Sequence, residues 1–352
     1  MKSSDKIILD PLCLINYASY YIVGLKQCFP NIPLIWDSSK FQYTINGSED
    51  YRHGLGIILD INNKIKKIYI DFHDSNHIMQ KQYDWCDVYG KINLRSEDLH
   101  RSKIIPIGPN FGVRFTNIAD TLHLMIKNYL SMTERGWKPG FLSYVQSYIY
   151  PFYRRKNLDK YLVSPKEDKD YIFALSTLWY DEKTDISTNM FRANYSRLCK
   201  KLMPSFEGGL FMIDDPAQTK SFPKYEEYRK IYSDLITEKR IPMKEYIDKT
   251  AKSAFVFNTP SVQGCHGWKL GEYLAMGKAI ISTPLENVMP GNFREGHEYI
   301  CVKSNEELEQ AIIYLRDHPE ERLKLKSNAK QYFDTYLRPD IIIKRLTEHN
   351  IL

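Results

Sequence analysis

The sequence predicts an α/β protein built as two doubly wound, Rossmann-like domains facing a cleft. Three observations carry this reading. Apolar, β-rich runs alternate with helical stretches along most of the chain. A charged, proline-bearing stretch, PFYRRKNLDKYLVSPKEDKD (151–170), separates two patterned halves. The 352 residues suit two domains at roughly 100–200 residues each. A chain of that size buries a core without disulfides or structural metal.

In the first half, KIILDP (6–11) reads as a strand followed by the helix-like YASYYIVGLKQCF. PLIWD (33–37), GIILDI (56–61) and KKIYIDF (66–72) read as further strands, and KIIPIG (103–108) as a strand or a loop approaching one. Over 118–132, Ile118, Leu122, Met125 and Tyr129 lie on one helix face. Residues 1–160 form the first predicted domain.

The second half alternates more cleanly. Strands are predicted at YIFALST (171–177), GGLFMID (208–214), SAFVFNTP (253–260), KAIIST (278–283) and EYICVK (298–303). Helices are predicted over 187–202, 223–236, 242–252 and 269–277, the last ending at a C-cap Gly277. A Ser N-cap and acidic first turn open a helix over 304–318, and a proline opens another over 319–336. Residues 161–335 form the second predicted domain. Residues 336–352 read as a tail helix packing back on the first.

Composition excludes several classes. Hydrophobic residues at 43% and charged residues at 26% are ordinary for a globular protein. A net charge of +6 suits phosphorylated ligands or an anionic membrane face and falls short of a nucleic-acid footprint. The 26 tyrosines fit carbohydrate or interface contacts, or simply aromatic packing. Six scattered cysteines form no CxxC pair, so neither a disulfide framework nor a zinc site is expected. The N-terminus is too polar for a signal peptide, and no run approaches the roughly 18 apolar residues of a membrane span. A cytoplasmic protein is expected, soluble or peripheral to the inner face of the membrane.

The chemistry concentrates in SAFVFNTPSVQGCHGWKLGEYLAMGKAIIST (253–283). A buried strand ends at Asn258. A loop with Gly264 and Gly267 then opens a helix carrying Lys269 and Glu272 in its first turns. Such a helix N-terminus offers free N–H groups and a positive dipole end, and Lys269 adds a full charge. The arrangement suits a diphosphate, with Glu272 placed to accept from a ribose diol. The spacing alone fits equally an ordinary strand–loop–helix with a solvated Lys and Glu.

KLGEYLAMGKAIIS (269–282) resembles the nucleotide-sugar segment of GT-B glycosyltransferases of the group 1 type. The preceding AKSAFVFNTP and the following EYICVKSNEELEQAIIYLRDHPEERLKLKSNAK are similar to the flanking elements of that family, so the resemblance covers about 245–335. It implies that Glu272 binds the donor's ribose and that Lys269 faces the pyrophosphate. Retaining members often carry a second Glu eight positions before the ribose Glu. Here Gly264 stands there, with Gln263 beside it. His266 either takes over a polar contact to phosphate or sugar, or is a surface loop histidine.

The resemblance also points to the loop after the first strand of the second domain, Ser176 and Thr177, as a diphosphate contact. Lys183 and Arg192 are candidates for leaving-group charge or members of a solvated face. Asp214–Asp215 lacks the spaced second Asp of a metal-binding DxD and reads as a turn. In the first half, IYIDFHDSNH (68–77) brings Asp71, His73 and Asp74 to a strand end. His73 or Asp71 is either an acid–base group or a satisfied polar strand end. FYRRK (152–156) fits a membrane interface or a solvated interdomain linker.

The resemblance thus implies a metal-independent glycosyltransferase of glycan biosynthesis with no cofactor. Its donor is a nucleoside-diphosphate sugar bound by the second domain. Its acceptor is a glycan or lipid-linked saccharide bound by the first. The rival readings are a non-catalytic nucleotide- or glycan-binding protein of the same fold and a nucleotide-sugar epimerase. A dehydrogenase is disfavoured because no G-x-G-x-x-G follows an early strand.

Overall fold

The structure, a computed structural model, describes residues 5–41, 52–134, 140–162, 167–179, 184, 186–212 and 224–349. Lys183 and Asp214–Asp215 lie outside them. The chain forms two compact units. Unit 1 is Met1–Leu158 with Val288–Gly291 and Thr335–Leu352; unit 2 is Asp159–Asn287 with Asn292–Asp334.

Unit 1 is built on a six-stranded sheet. Its strands are β1 (Lys6–Leu9), β2 (Leu34–Trp36), β3 (Gly54–Ile61), β4 (Lys64–Asp71), β5 (Val88–Lys91) and β6 (Ile104–Pro106), in the order β2-β1-β3-β4-β5-β6. β4, β5 and β6 run parallel, as do β1 and β2, but β3 is antiparallel to both its neighbours. This departs from the doubly wound parallel sheet expected of the first half. The cause is local. Two residues join β3 to β4, and parallel neighbours need a crossover of a dozen or more. Those two, Asn62 and Asn63, have φ of 52° and 60°, the paired left-handed conformation favoured in tight hairpins.

The helix Ile118–Glu134 buries Thr121, Leu124, Met125, Asn128 and Met132. Ile118 and Leu122 do not share that core face with Met125; they are exposed. The helix Phe141–Arg154 includes Pro151, so the first residues of the predicted linker are helical. The tail helix Pro339–Glu348 belongs to unit 1, packed on the helix Ile15–Cys28. Lys66 Nζ donates to Thr347 O (2.6 Å) and His349 O (2.7 Å), placing positive charge at the helix C-terminus.

Unit 2 has two three-stranded parallel sheets: β7 (Tyr171–Thr177), β8 (Ser205–Phe211) and β9 (Ile236–Thr237), and β10 (Val256–Asn258), β11 (Ile280–Ser282) and β12 (Ile300–Cys301). They meet where Ala254 N donates to Tyr171 O at 2.9 Å. The combined order is β9-β8-β7-β10-β11-β12, the 3-2-1-4-5-6 order of a Rossmann sheet. The α/β class read from the sequence therefore holds, and unit 2 has the doubly wound form. Its core includes Ile172, Tyr195, Phe257, Ile281, Leu308 and Ile312. The helix predicted over 223–236 spans only Tyr225–Ile231, because Ile236 and Thr237 pair with β8 instead.

Gly24 marks how closely the tail helix approaches its partner. A Cβ on it would lie 2.3 Å from Pro339 O, a backbone atom that cannot swing away. Gly24→Ala should therefore destabilise unit 1 by about 1–3 kcal/mol, the usual range for overpacking. A urea midpoint equal to wild type would show that the two helices separate at no cost.

Candidate functional site

The Rossmann order of unit 2 fixes where a ligand belongs. β7 and β10 are neighbours, yet the chain leaves them toward β8 on one side and β11 on the other. The loops diverge at the carboxyl ends and leave a crevice at this switch point. Ser176 and Thr177 end β7, and Asn258 ends β10.

Two cations cross that point in opposite directions. Lys269, on the helix Trp268–Ala275 that follows β10, donates through Nζ to Leu175 O and to Ser176 Oγ (3.1 Å) at the end of β7. Arg192, on the helix Ile186–Leu202 that follows β7, donates through Nε to Thr259 Oγ1 (2.8 Å) just beyond β10, and through Nη1 to Thr177 O (2.8 Å). Both side chains are partly buried. Neither forms an ion pair with a described carboxylate.

Their titration reflects this. Burial, reinforced by the Arg192 charge and opposed by Glu272, brings the Lys269 ammonium down to about 7. Burial brings Arg192 down to about 10. Lys278 is a useful contrast. It is fully buried and also brought down to about 7 by burial, but it has a structural assignment: it donates to Ala251 O (2.9 Å) and Ser253 O at the end of the helix Met243–Lys252 and lies 3.8 Å from Glu167. Lys269 and Arg192 donate only to neutral acceptors, and Glu272 offsets the Lys269 charge from a distance without an ion pair.

The other predicted residues group around this pair. Gly267 is the N-cap of the helix Trp268–Ala275, and no side chain caps that terminus. Gly264 has φ +70°; its N–H donates to Ser261 O and its carbonyl accepts from Asn287 Nδ2, so it shapes the loop. His266 is 6% exposed, a buried loop residue and not a surface one. Glu272 is 4% exposed and accepts from Tyr246 Oη at 3.1 Å. The structure thus joins Ser176, Thr177, Arg192 and Lys269 directly, with Glu272 close enough to act on Lys269 electrostatically. Thr259 and Tyr246 escaped the sequence reading; their spacing from Lys269 carries no signal.

Unit 1 holds a second constellation. Asp71 and Lys91 end adjacent parallel strands in register. The buried Asp71 carboxylate accepts from Lys91 Nζ (2.9 Å) and Tyr89 Oη (2.5 Å) on one oxygen. On the other it accepts from His73 N (2.9 Å) and His73 Nδ1 (3.0 Å). Burial alone pushes the carboxyl up, but Lys91, His73 and Tyr89 together hold it well below the usual carboxylate range. An ionised carboxylate only accepts, so Nδ1 carries a proton, and in the neutral ring the lone pair is on Nε2. His73 Nε2 is buried and has no hydrogen-bond partner among the described residues. Asn93 Nδ2 fixes the backbone by donating to His73 O at 2.7 Å. The His53 ring stacks on His73 at 4.8 Å, its own pKa lowered by burial and then by His73. Asp71 therefore orients the imidazole and has no exposed oxygen of its own. Lys91, Tyr89 and His53 were not legible in sequence because strand register alone brings them here.

Among the described residues no group of three His, Cys, Asp or Glu side chains is placed to hold a metal ion. No described helix is long and apolar enough to cross a membrane.

Residues 218–346 match the sequence model of a family described as glycosyl transferase-like. The segment that carries the resemblance, about 245–335, lies within this match. No curated protein sequence matches the chain. Among solved structures, it is similar to the C-terminal domain of a group 1 family glycosyl transferase, LpcC, from Francisella tularensis (15% identity, 51% of this chain and 91% of that one, TM-score 0.34). It is also similar to a glycosyltransferase from Rickettsia africae (12%, 80% and 69%, TM-score 0.43). A third is the S. aureus MnaA–UDP co-structure (14%, 93% and 70%, TM-score 0.39).

The depressed Lys269 pKa has a consequence for the ligand-free protein. Between about 7 and the ordinary lysine value of 10.5 the unfolded chain binds a proton at this lysine that the folded chain does not, so its contribution makes stability rise with pH across that window. Lys278 adds a rise of the same sign. Lys269→Met should shrink the rise without abolishing it. Urea midpoints at pH 7 and pH 10 check this, and an unchanged slope would mean Lys269 titrates normally.

Proposed function

We propose that the protein is a glycosyltransferase that moves a sugar from a nucleoside-diphosphate donor to a hydroxyl of a glycan or lipid-linked saccharide. One observation carries the reading: Lys269 and Arg192, two cations without a paired carboxylate, clasp the strand ends at the switch point of a Rossmann sheet. A diphosphate supplies the missing negative charge and takes the hydrogen bonds now made to neutral oxygens. The N-terminus of the helix Trp268–Ala275, which has no side-chain cap, adds its positive dipole end. Glu272 is the residue proposed to face the ribose, and the match over 218–346 supports this assignment of unit 2 to the donor.

In the reaction the bond between the anomeric carbon and the diphosphate oxygen breaks, and the diphosphate leaves with the bonding pair. Lys269 and Arg192 stabilise the charge that builds there, the role that makes the reaction independent of a divalent ion. The acceptor oxygen forms the new bond to the anomeric carbon. Its proton goes to a general base, and His73 of unit 1 is the residue proposed for that role, since in the neutral ring Nδ1–H donation to Asp71 leaves the lone pair on Nε2. Unit 1 is thus proposed as the acceptor unit, with Asp71 as a positioning residue.

Calorimetric titration with nucleoside diphosphates tests the donor half. Lys269→Ala and Arg192→Ala should each lose about 10- to 150-fold in affinity, the equivalent of a charge-assisted hydrogen bond. Glu272→Gln, which keeps an acceptor for Tyr246, should weaken nucleoside diphosphates more than inorganic pyrophosphate. Unaltered affinity in both cation variants would exclude the crevice as the donor site. Once an acceptor supports turnover, activity should persist in excess EDTA. His73→Ala should then lower turnover by about 10²- to 10⁴-fold while nucleotide affinity stays near wild type. Donor hydrolysis or epimerisation with no acceptor present would favour the epimerase reading. Tight nucleotide binding with no turnover on any acceptor would favour a binding protein.

A further inference from the structure

We propose that the two helices Ile118–Glu134 and Phe141–Arg154 dock unit 1 on an anionic lipid surface. The first helix is apolar on two sides. One side is its core face, through Leu124, Met125 and Met132. The other carries Ile118, Leu122, Ile126 and Leu130, spaced i, i+4, i+8, i+12, and all four are exposed, Ile126 at 57% and Leu130 at 56%. Twelve residues of helix make this stripe about 18 Å long. Single exposed aliphatic side chains are normal on a soluble protein; a continuous helical row is not.

The second helix extends the pattern. Phe141 and Leu142, in its first turn, are 65% and 71% exposed, and Tyr150 and Tyr153 are exposed near its end. The two helices pack together, the Tyr129 ring lying 5.7 Å from Phe141 and 5.2 Å from Tyr144. The exposed apolar row and the exposed first turn therefore belong to one helical pair.

Charge selects the partner. Among the described residues of 118–156, Lys127, Arg154, Arg155 and Lys156 stand against Asp120 and Glu134. Lys127 is exposed directly beside Ile126, and Arg154 lies 5.0 Å over the Tyr150 ring near the second helix's end. Protein interfaces deplete lysine around their apolar centres. A row of Ile and Leu flanked by Lys, Arg and Tyr is the composition that inserts its apolar face between headgroups, sets rings at the interface and pairs its cations with anionic lipid. No described helix crosses a membrane, so the contact is peripheral. This inference stands apart from the donor chemistry, since none of its residues belongs to the nucleotide crevice or to the His73 constellation.

The test is co-sedimentation of the full chain with vesicles of phosphatidylcholine alone and of phosphatidylcholine mixed with phosphatidylglycerol. Wild type should sediment with the mixed vesicles and not with the neutral ones, and added salt should release it. Leu122→Ser/Ile126→Ser removes only exposed apolar groups, so its thermal midpoint and nucleotide affinity should match wild type. Its partitioning should fall about tenfold or more. Leu323→Ser, at an exposed site in unit 2, serves as the control and should partition as wild type. Failure of wild type to bind mixed vesicles, or equal binding by the double variant, would overturn the proposal. So would a wild-type dimer in solution that the double variant abolishes, which would assign the face to a second copy of the chain.

Discussion

Two like charges held at one point inside a protein need either a counter-ion or a reason to lack one. Lys269 and Arg192 reach the same pair of strand ends from opposite helices, and Glu272 opposes their field on Lys269. The strand order makes this arrangement possible. With β7 and β10 adjacent, a long side chain on the helix after each strand can reach the other strand's end. Backbone carbonyls and hydroxyls satisfy the N–H donors but do not neutralise the charge. The folded state is left with a standing preference for an anion. Lys278 marks the difference between burial and function: its ammonium meets the carbonyl end of a helix and Glu167, and nothing remains for a ligand to satisfy.

In unit 1 the same logic runs with the opposite sign. Asp71 is buried, which by itself disfavours a carboxylate, yet Lys91, His73 and Tyr89 outweigh that cost. The register that pairs Asp71 with Lys91 across β4 and β5 is the origin of this charge. It selects the neutral tautomer of His73, because an acceptor-only partner on Nδ1 places the single proton of the neutral ring there. The stacked His53, itself biased to the neutral form, gives the ring a second wall.

The alternation of elements, the strand ends at Thr177 and Asn258 and the charged first turn at Lys269 were all legible in the chain, because each is a local pattern of a few residues. What the chain concealed depends on pairing. GIILDI and KKIYIDF were visible as strands, but their antiparallel pairing sits in the two asparagines between them. Ile118 and Leu122 were readable as helical, but which side of that helix meets the core is decided by Leu124, Asn128 and Met132 and by what packs there. Arg192 was a candidate among several basic residues. Only the fold shows that it crosses to Thr259, 67 positions away in the chain. Lys91 gave no sign at all, since its partner Asp71 lies 20 positions before it on another strand.

Gly264 shows how a motif position changes meaning when the loop is rebuilt. The resemblance leads one to expect a Glu at this position, and this chain has Gly264 instead. The backbone makes a side chain there unfavourable. Gln263 and Gly264 are both left-handed, with φ of 56° and 70°, folding the loop tightly enough that Gly264 N–H donates to Ser261 O. A Cβ at position 264 would lie 2.8 Å from Glu286 Oε2, and its three closest neighbours would all be atoms of that carboxyl group. Any side chain there meets both backbone strain and an acidic group already in place. The carboxylate has not vanished from this part of unit 2. It arrives from the loop after β11, with a different backbone behind it, so the acidity of the loop cannot be inferred from what residue 264 lacks.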